Sequence, residues 1–245
     1  MTSDGESRHV LVLADSLSFH GPDGPRRPGD PRLYPNVMAT ALGDDVRADV
    51  VARLGWTARD AWWAVTKDPR VWGELVPRAD ALVLAVGQMD HLPAAVPTWL
   101  RDGIPYVRPG SVRRAVRRAH RAGSPLVIRA TGGRLRQLPQ DVTDRYLARI
   151  VEGVRHYRPG IPVVLLGPSP YASPAYPSQR HHAPAVEAAR RWASEHGTGL
   201  VDLDPLVLPS LAGATGNPDG LHWGWEVHDA VGRALAEVLR GQGWR

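Results

Sequence analysis

The chain has 245 residues, of which 43% are hydrophobic, and a formal net charge of +5. This composition excludes an intrinsically disordered chain, and the length allows one large α/β domain. The absence of cysteine excludes disulfides, cysteine nucleophiles and cysteine-ligated zinc. The apolar run that follows the polar start is too short for a signal-peptide core or a membrane span. We therefore expect a cytoplasmic protein with no membrane span, folded as one domain over residues 1–245 with a flexible tail at residues 1–8.

Strand and helix patterns alternate along the first part of the chain. In chain order they predict a buried strand at 8–13, a helix at 33–42, a strand at 46–52, a helix at 57–67 and a strand at 81–86. Thr57 is the expected N-cap of the second helix. The strands are continuously apolar, which is typical of parallel strands that are buried on both faces.

The same alternation continues to the end of the chain. The later patterns predict a helix at 111–122, a helix at 142–157, a strand at 161–166, a helix at 184–196, a strand at 200–203 and a helix from Trp225 to about Gly241. Residues 126–130 are apolar but too short to assign. We expect an α/β fold, a single doubly wound, flavodoxin-like domain with a five-stranded parallel sheet. Ser16, Gly55 and residues 87–90 then lie at the carboxyl edge of the sheet, where sites form in such folds.

Ser16 comes directly after the first predicted strand and is the candidate nucleophile. A serine hydroxyl is weak until a base removes its proton, and a histidine oriented by a carboxylate supplies such a base. Asp219 and His222 are three residues apart, which places both side chains on one side of a turn. Taken separately, Ser16 is also typical of a turn or cap residue, and Asp219 with His222 of a capped helix start. Their joint placement at the two ends of the α/β pattern favours a catalytic triad.

Four short segments resemble the sequence blocks of the SGNH (GDSL-type) hydrolase superfamily. Residues 10–16, which end in Asp15-Ser16, resemble block one, and Gly55 resembles the glycine of block two. Residues 87–90 stand where block three belongs, and Asp219 with His222 resembles block five. Met89 replaces the asparagine that donates to the oxyanion in this family, and a methionine side chain cannot donate a hydrogen bond. The resemblance then implies an oxyanion hole built from the N–H groups of Ser16 and Gly55, with Gln88 or a neighbouring backbone group.

A narrower resemblance is to the mycobacterial and actinobacterial diglucosylglycerate octanoyltransferases, which also carry methionine in block three. It rests on residues 53–63, 87–90, 106–109, 158–164 and 216–223. The resemblance implies transfer of an octanoyl group from acyl-coenzyme A, through an acyl-enzyme on Ser16, to a sugar hydroxyl of diglucosylglycerate or glucosylglycerate. That reaction belongs to methylglucose lipopolysaccharide biosynthesis. His222 is then the base and Asp219 its orienting carboxylate, with acyl-coenzyme A as co-substrate and no permanently bound cofactor.

Several other residues are candidates for binding substrate. Trp56 and Trp223 lie next to motif residues and are expected either to line the site or to pack in the core. Arg108, Arg113 and Arg117 are candidates for binding substrate anions, although an arginine-rich helix is also typical of a solvated face. No nucleic-acid-binding motif accompanies these arginines, so we expect small-molecule partners only. No acidic ligands stand at useful spacing from the histidines at positions 181 and 182, so we expect no metal.

Two other functions remain compatible with these motifs. A carboxylesterase or thioesterase needs the same serine, histidine and aspartate. A non-catalytic sugar-binding protein descended from the fold is favoured by Met89 but not by the intact Ser16, Asp219 and His222.

Overall fold

The computed structural model describes residues 7–244 and contains a five-stranded, all-parallel central sheet. Its strands are β1 (Arg8–Ala14), β2 (Val46–Ala52), β3 (Ala81–Ala85), β4 (Val163–Leu166) and β5 (Gly199–Val201). Their order across the sheet is β2-β1-β3-β4-β5. This is the flavodoxin-like order, so the predicted fold class is confirmed.

Helices cover both faces of the sheet. They are α1 (Tyr34–Leu42), α2 (Ala58–Lys67), α3 (Val76–Arg78), α4 (Thr98–Gly103), α5 (Gly110–Ala130), α6 (Gln140–Tyr157), α7 (His182–Glu195), α8 (Asp204–Gly213) and α9 (Trp225–Gly241). No helix within residues 7–244 is long and apolar enough to cross a bilayer.

The side chains of β1 alternate between two separate hydrophobic cores. Val10 and Val12 belong to the core that includes residues of α1 and α9, whereas Leu11 and Leu13 belong to the core that includes residues of α2 and α6. This alternation follows from the two-residue period of a strand. Because β1 is buried on both faces, the loop that follows it starts from a rigid position.

The N-terminus of α2 is held by a capping box. Thr57 Oγ1 accepts a hydrogen bond from the backbone N–H of Asp60, and Asp60 Oδ2 accepts one from the backbone N–H of Thr57. The predicted N-cap role of Thr57 is therefore confirmed. Such a cap contributes about 1 kcal/mol to helix stability, and here it anchors the helix that follows Gly55.

Some predicted boundaries were wrong. Arg8 is the first residue of β1 and not part of a tail, while residues 1–6 of the predicted tail lie outside the described residues. The helix predicted at 111–122 extends over Gly110–Ala130 and continues through Pro125, so residues 126–130 are helical. In the turn before Pro125, the hydroxyl of Ser124 donates to the carbonyl of His120.

Candidate active site

Ser16, His222 and Asp219 form a hydrogen-bonded chain at the carboxyl edge of the sheet. The Oγ of Ser16 lies 2.9 Å from Nε2 of His222, and Nδ1 of His222 lies 2.6 Å from Oδ2 of Asp219. Ser16 opens a short 3₁₀ helix directly after β1, and His222 lies in the turn before α9. The fold thus brings together three residues that lie near opposite ends of the chain. This is the arrangement in which a histidine removes a serine proton while a carboxylate holds its tautomer.

The turn that carries Asp219 and His222 is fixed by its own backbone. Oδ1 of Asp219 accepts hydrogen bonds from the backbone N–H groups of Leu221 and His222, at 2.8 and 3.0 Å. Gly220, which follows Asp219, has a φ of +68°, and its carbonyl oxygen accepts a hydrogen bond from the N–H of Ala172. Burial acts to raise the pKa of Asp219, but the hydrogen bonds from His222 and Leu221 outweigh it and lower that pKa. Asp219 therefore stays ionised beside His222.

A second imidazole stacks on His222. The ring centroids of His20 and His222 are 3.7 Å apart, with 21° between the planes. Nδ1 of His20 lies 3.1 Å from the carbonyl oxygen of Gly21, which suits donation to that oxygen. Burial lowers the pKa of His20, and the neighbouring charge of His222 lowers it further. His20 therefore presents a neutral ring face to His222. His20 was not predicted from the sequence, because nothing in its local pattern indicates a stack with a residue near the other end of the chain.

Three backbone N–H groups are available to a developing oxyanion. Those of Ser16, Gly55 and Met89 make no hydrogen bond within the described part of the chain. All three residues line the same pocket. The carboxamide of Gln88 is occupied elsewhere, since Nε2 donates to the carbonyls of Leu166 and Gly167 and Oε1 accepts from the N–H of Ser169. Gln88 lines the pocket, but its side chain is not a free donor.

Ser16 and His222 open onto an apolar pocket of about 350 Å³. Of the predicted residues, Asp15, Ser16, Gly55, Gln88 and His222 line it, together with Met89. The other lining residues were not predicted from the sequence and are Leu17, Leu54, Leu92, Ser169, Pro170, Tyr171, Tyr176 and Leu221. Tyr171 and Tyr176 come from the irregular segment after β4, where no periodic pattern exists to identify them.

Trp56 and Trp223 do not line this pocket, contrary to the site-lining alternative. Trp223 is a core residue, and its indole N–H donates to Oγ of Ser169 at 3.1 Å. Trp56 borders a separate groove, where the guanidinium of Arg53 lies over its ring. Adjacency to a motif did not predict the direction of either side chain, because successive residues of a turn point to different sides.

The three candidate anion-binding arginines are also absent from the pocket wall. Arg108 and Arg117 are exposed, and Arg113 is partly exposed and donates to the carbonyl of Pro105. Ile128 is the one buried residue of α5. The solvated-face alternative describes this helix better than the anion-binding one.

The two adjacent histidines make separate contacts. Nε2 of His181 lies 2.7 Å from the carbonyl oxygen of Gly133, and Nε2 of His182 lies 2.8 Å from Oδ1 of Asp204. Within residues 7–244, no group of three or more histidine or acidic side chains is arranged to hold a metal ion.

Two buried carboxylates support the loops of the site. Asp15 accepts a hydrogen bond from the N–H of Leu17, and Asp90 accepts bonds from the N–H of Ala58 and the hydroxyl of Thr143. Burial raises the pKa of Asp15 to about 7, and burial likewise raises the pKa of Asp90 to about 6. Asp90 thereby joins the loop after β3 to both α2 and α6.

We expect Asp15→Asn to reveal the protonation of this site as a pH-dependent stability difference. The pKa of Asp15 is raised above its ordinary value, so the native state binds more protons than the unfolded state between about pH 4 and pH 7. The stabilisation of the wild type relative to the variant should therefore fall, by on the order of a few kcal/mol, as pH rises through this window.

The measurement is denaturant unfolding of both proteins at several pH values. The difference between them is needed because burial lowers the pKa of His91 to about 3 and that of His228 to about 4. Both histidines make the free energy of unfolding rise with pH, which is opposite in sign to the effect of Asp15. Because both proteins contain these histidines, their contribution cancels when the two free energies of unfolding are subtracted. A difference that does not change with pH would contradict the prediction.

Comparisons with known proteins place this arrangement in a fold class. The lipase/acylhydrolase from Enterococcus faecalis superposes with a TM-score of 0.63 over 96% of each chain, at 16% identity. The aryl esterase of M. smegmatis superposes with a TM-score of 0.58 over 96% of this chain and 99% of its own, at 17% identity. At these identities the likeness shows the fold alone, which is that of the SGNH hydrolases. No family model matches the chain.

Sequence relatives are more specific. The chain is 41% identical over 240 residues to the diglucosylglycerate octanoyltransferase of Mycolicibacterium hassiacum, covering 98% of both chains. It is 40% identical over 243 residues to the enzyme of the same name from Mycobacterium tuberculosis, covering 98% of this chain and 95% of the relative. The chain belongs to the diglucosylglycerate octanoyltransferase family, which is a family of acyltransferases.

Proposed function

We propose that this protein transfers an octanoyl group from acyl-coenzyme A to a sugar hydroxyl of a glucosylglycerate-type acceptor. The observation that carries the proposal is the position of Ser16 and His222 at an apolar pocket of about 350 Å³. Family membership supports the acyl group and the acceptor. Because acyl-coenzyme A is an intracellular metabolite, the proposal also places the reaction in the cytoplasm.

In the first half-reaction, Ser16 attacks the thioester carbonyl. His222 removes the proton of the serine hydroxyl as the new C–O bond forms, and Asp219 stabilises the resulting imidazolium. The tetrahedral intermediate collapses with cleavage of the C–S bond, and His222 returns its proton to the departing thiolate. Octanoyl-Ser16 and free coenzyme A are the products.

In the second half-reaction, a sugar hydroxyl is the nucleophile and Ser16 is the leaving group. His222 removes the proton of the hydroxyl, the sugar oxygen attacks the acyl carbonyl, and Ser16 leaves with the proton from His222. In both halves the negative charge on the carbonyl oxygen needs hydrogen-bond donors. We assign this role to the N–H groups of Ser16 and Gly55 and add that of Met89. One such donor is worth roughly 3–4 kcal/mol of transition-state stabilisation.

The pocket suits an acyl chain of this length. A cavity of about 150 Å³ holds the six carbons of benzene, which is roughly 25 Å³ per heavy atom, so eight carbons need roughly 200 Å³. The pocket therefore holds an octanoyl chain, and the remaining volume of roughly 150 Å³ is needed for the reacting carbonyl and the groups that attack and leave it. Once the acyl chain and the acceptor fill this space, water is displaced from Ser16, which favours transfer over hydrolysis.

The proposed function is tested by incubating the protein with octanoyl-coenzyme A in the presence and absence of diglucosylglycerate. We expect thiol release to accelerate with the sugar and an octanoyl ester of the sugar to appear by mass spectrometry. Thiol release at the same rate with and without the sugar, with free octanoate as the product, would instead indicate a thioesterase. The absence of both acylated protein and thiol release would favour the non-catalytic alternative.

We expect Tyr176→Ala to shift the acyl-chain preference towards longer chains. The ring of Tyr176 lines the pocket, and within the described residues its hydroxyl makes no hydrogen bond that the truncation would break. Space for two more methylene groups is worth about 0.8 kcal/mol each, so the ratio of kcat/KM for decanoyl- over octanoyl-coenzyme A should rise roughly tenfold. Tyr157→Ala is the matched control, because Tyr157 is 54% exposed and outside the pocket. An unchanged ratio in the Tyr176 variant would remove this residue from the acyl site.

A further inference from the structure

A second concave surface lies beside the catalytic pocket, and the proposed reaction does not yet use it. It is an open groove of about 670 Å³ between the edge strand β2, helix α2 and the segment that follows α2. We call it the β2–α2 groove. Its wall combines two tryptophans, two carboxylates and three cations, which are Trp56, Trp63, Asp60, Asp68, Arg53, Lys67 and Arg70.

The β2–α2 groove and the catalytic pocket share one loop as their common wall. Leu54 and Gly55 line the pocket, while Arg53 and Trp56, their immediate neighbours in the chain, line the groove. Consecutive Cα atoms are about 3.8 Å apart, so the two surfaces are separated by the thickness of this loop. A molecule that extends from the groove over residues 53–56 therefore enters the catalytic pocket, which Ser16 lines.

Two of the three cations of the groove lie over aromatic rings, and none of the three is paired with an acid in the described part of the chain. The guanidinium of Arg53 lies 5.6 Å from the ring centroid of Trp56, and the ammonium of Lys67 lies 4.9 Å from that of Trp63. Within residues 7–244, neither of these side chains nor that of Arg70 makes an ion pair with an acid. By contrast, Arg59, which also lies over Trp63, is paired with Asp102 at 2.6 Å. A cation held over a ring keeps its full charge for a ligand.

Two carboxylates balance part of this charge. Asp60 accepts from the N–H and hydroxyl of Thr57, and Asp68 accepts from the backbone N–H of Arg70. Three cations against two carboxylates leave one net positive charge in the groove. A single net charge matches one carboxylate, whereas the several phosphates of coenzyme A need a more positive surface.

We propose that the β2–α2 groove binds the acceptor, an oligosaccharide of glucosyl rings that carries one carboxylate. Arg53, Lys67 and Arg70 supply the positive charge that attracts the carboxylate, and the glucosyl rings lie against the tryptophans and exchange hydrogen bonds with the acidic side chains. Diglucosylglycerate contains about 29 heavy atoms and needs roughly 725 Å³ at about 25 Å³ per heavy atom, so the groove of about 670 Å³ holds all but the part that extends over residues 53–56 towards Ser16. This inference rests on the proposed function, because it takes the class of acceptor from it.

Lys67 makes the proposal directly measurable, because it is the one lysine in the chain. Modification with an amine-reactive N-hydroxysuccinimide ester, followed by peptide mass spectrometry, measures the accessibility of Lys67 in the groove. We expect diglucosylglycerate to slow modification of Lys67 at least fivefold and saturably. A neutral diglucosylglycerol should protect less, and coenzyme A should not protect. Protection by coenzyme A but not by the sugar acid would make the groove a donor site and overturn the proposal, as would protection by neither ligand.

Kinetics of a matched pair of variants provide a second measurement. Arg53→Ala should raise the KM for diglucosylglycerate roughly tenfold and leave the burst of thiol release from octanoyl-coenzyme A unchanged. Arg149→Ala removes another exposed arginine that lies over an aromatic ring, 5.8 Å from that of Tyr146, outside both surfaces. It should leave both quantities unchanged. Equal acceptor KM values for the two variants would overturn the assignment of the groove.

The failures of the two proposals are distinguishable. If the wild-type protein forms no acyl-enzyme, the proposed function fails, and protection of Lys67 still reports whether the sugar binds. If octanoyl transfer proceeds normally while Lys67 remains unprotected, the groove assignment alone fails.

Discussion

Replacing Ser16 with alanine is expected to lower octanoyl transfer roughly 10⁴- to 10⁶-fold. The variant lacks the oxygen that carries the acyl group, and His222 then has no proton to remove at 2.9 Å from its Nε2. The residual rate comes from substrate binding and the oxyanion donors alone. The measurement is steady-state formation of octanoylated sugar, together with intact-protein mass spectrometry of the protein quenched during turnover. Wild-type protein should carry one octanoyl group, and the Ser16→Ala protein none.

Ser18→Ala is the control for this experiment. Ser18 lies in the same 3₁₀ helix, is equally buried, and donates its hydroxyl to the carbonyl of Asp15 at 2.8 Å. Its loss removes a buried hydrogen bond of roughly 1 kcal/mol but no reacting atom, so transfer should fall by less than about tenfold. Full transfer activity in the Ser16 variant, or an acyl group on another residue, would remove Ser16 from the mechanism.

Gly220→Ala is expected to lower octanoyl transfer at least roughly 100-fold, although the substitution adds only one methyl group. A Cβ at Gly220 would clash with the carbonyl oxygen of Ala172, and the φ of +68° already disfavours any residue with a side chain. The turn has to move, and it carries both Asp219 and His222. A displacement of about 1 Å at a reacting group costs roughly 10²-fold in rate.

The control is Gly213→Ala at the end of α8, where the added Cβ would meet its nearest atom at 3.5 Å, an ordinary contact. This variant should transfer octanoyl groups at close to the wild-type rate. Both proteins should be compared by thermal unfolding, so that a loss of activity in the Gly220 variant is measured on folded protein. Wild-type kcat in a folded Gly220→Ala protein would show that the turn tolerates the shift and contradict the prediction.

The fold was largely predictable from the sequence because its signals are local. Continuous apolar runs predicted all five strands of the central sheet, and amphipathic patterns predicted most of the helices between them. The alternation of strands and helices then restricts how the parallel strands connect. Boundaries were less predictable where a local signal pointed the wrong way. Gly123 and Pro125 indicate a helix end, yet α5 continues past both. Helix α8 was not predicted because its apolar residues follow no single face and because Pro209, a residue type that usually ends a helix, lies inside it.

Candidate catalytic residues were predictable for a related reason. Asp219 and His222 are close in the chain, so one turn holds both. Ser16 closely follows β1, which is the first strand in the chain. The walls of the pocket were not predictable, because Tyr171 and Tyr176 reach it from an irregular segment and Leu92 from another loop. His20 was missed for the same reason, since its partner is His222, about two hundred residues away.

The sequence by itself determined the class of fold, the candidate nucleophile and its base, and the family resemblance, because each depends on residue types at short spacing. Only the tertiary structure decided which side chains enclose space. It placed Trp223 in the core and Trp56 in the β2–α2 groove, and it showed the carboxamide of Gln88 bound to the backbone. The physical reason is that the direction of a loop side chain depends on contacts with distant segments. A pocket or a groove is therefore a property of the packed molecule and not of any one stretch of the chain.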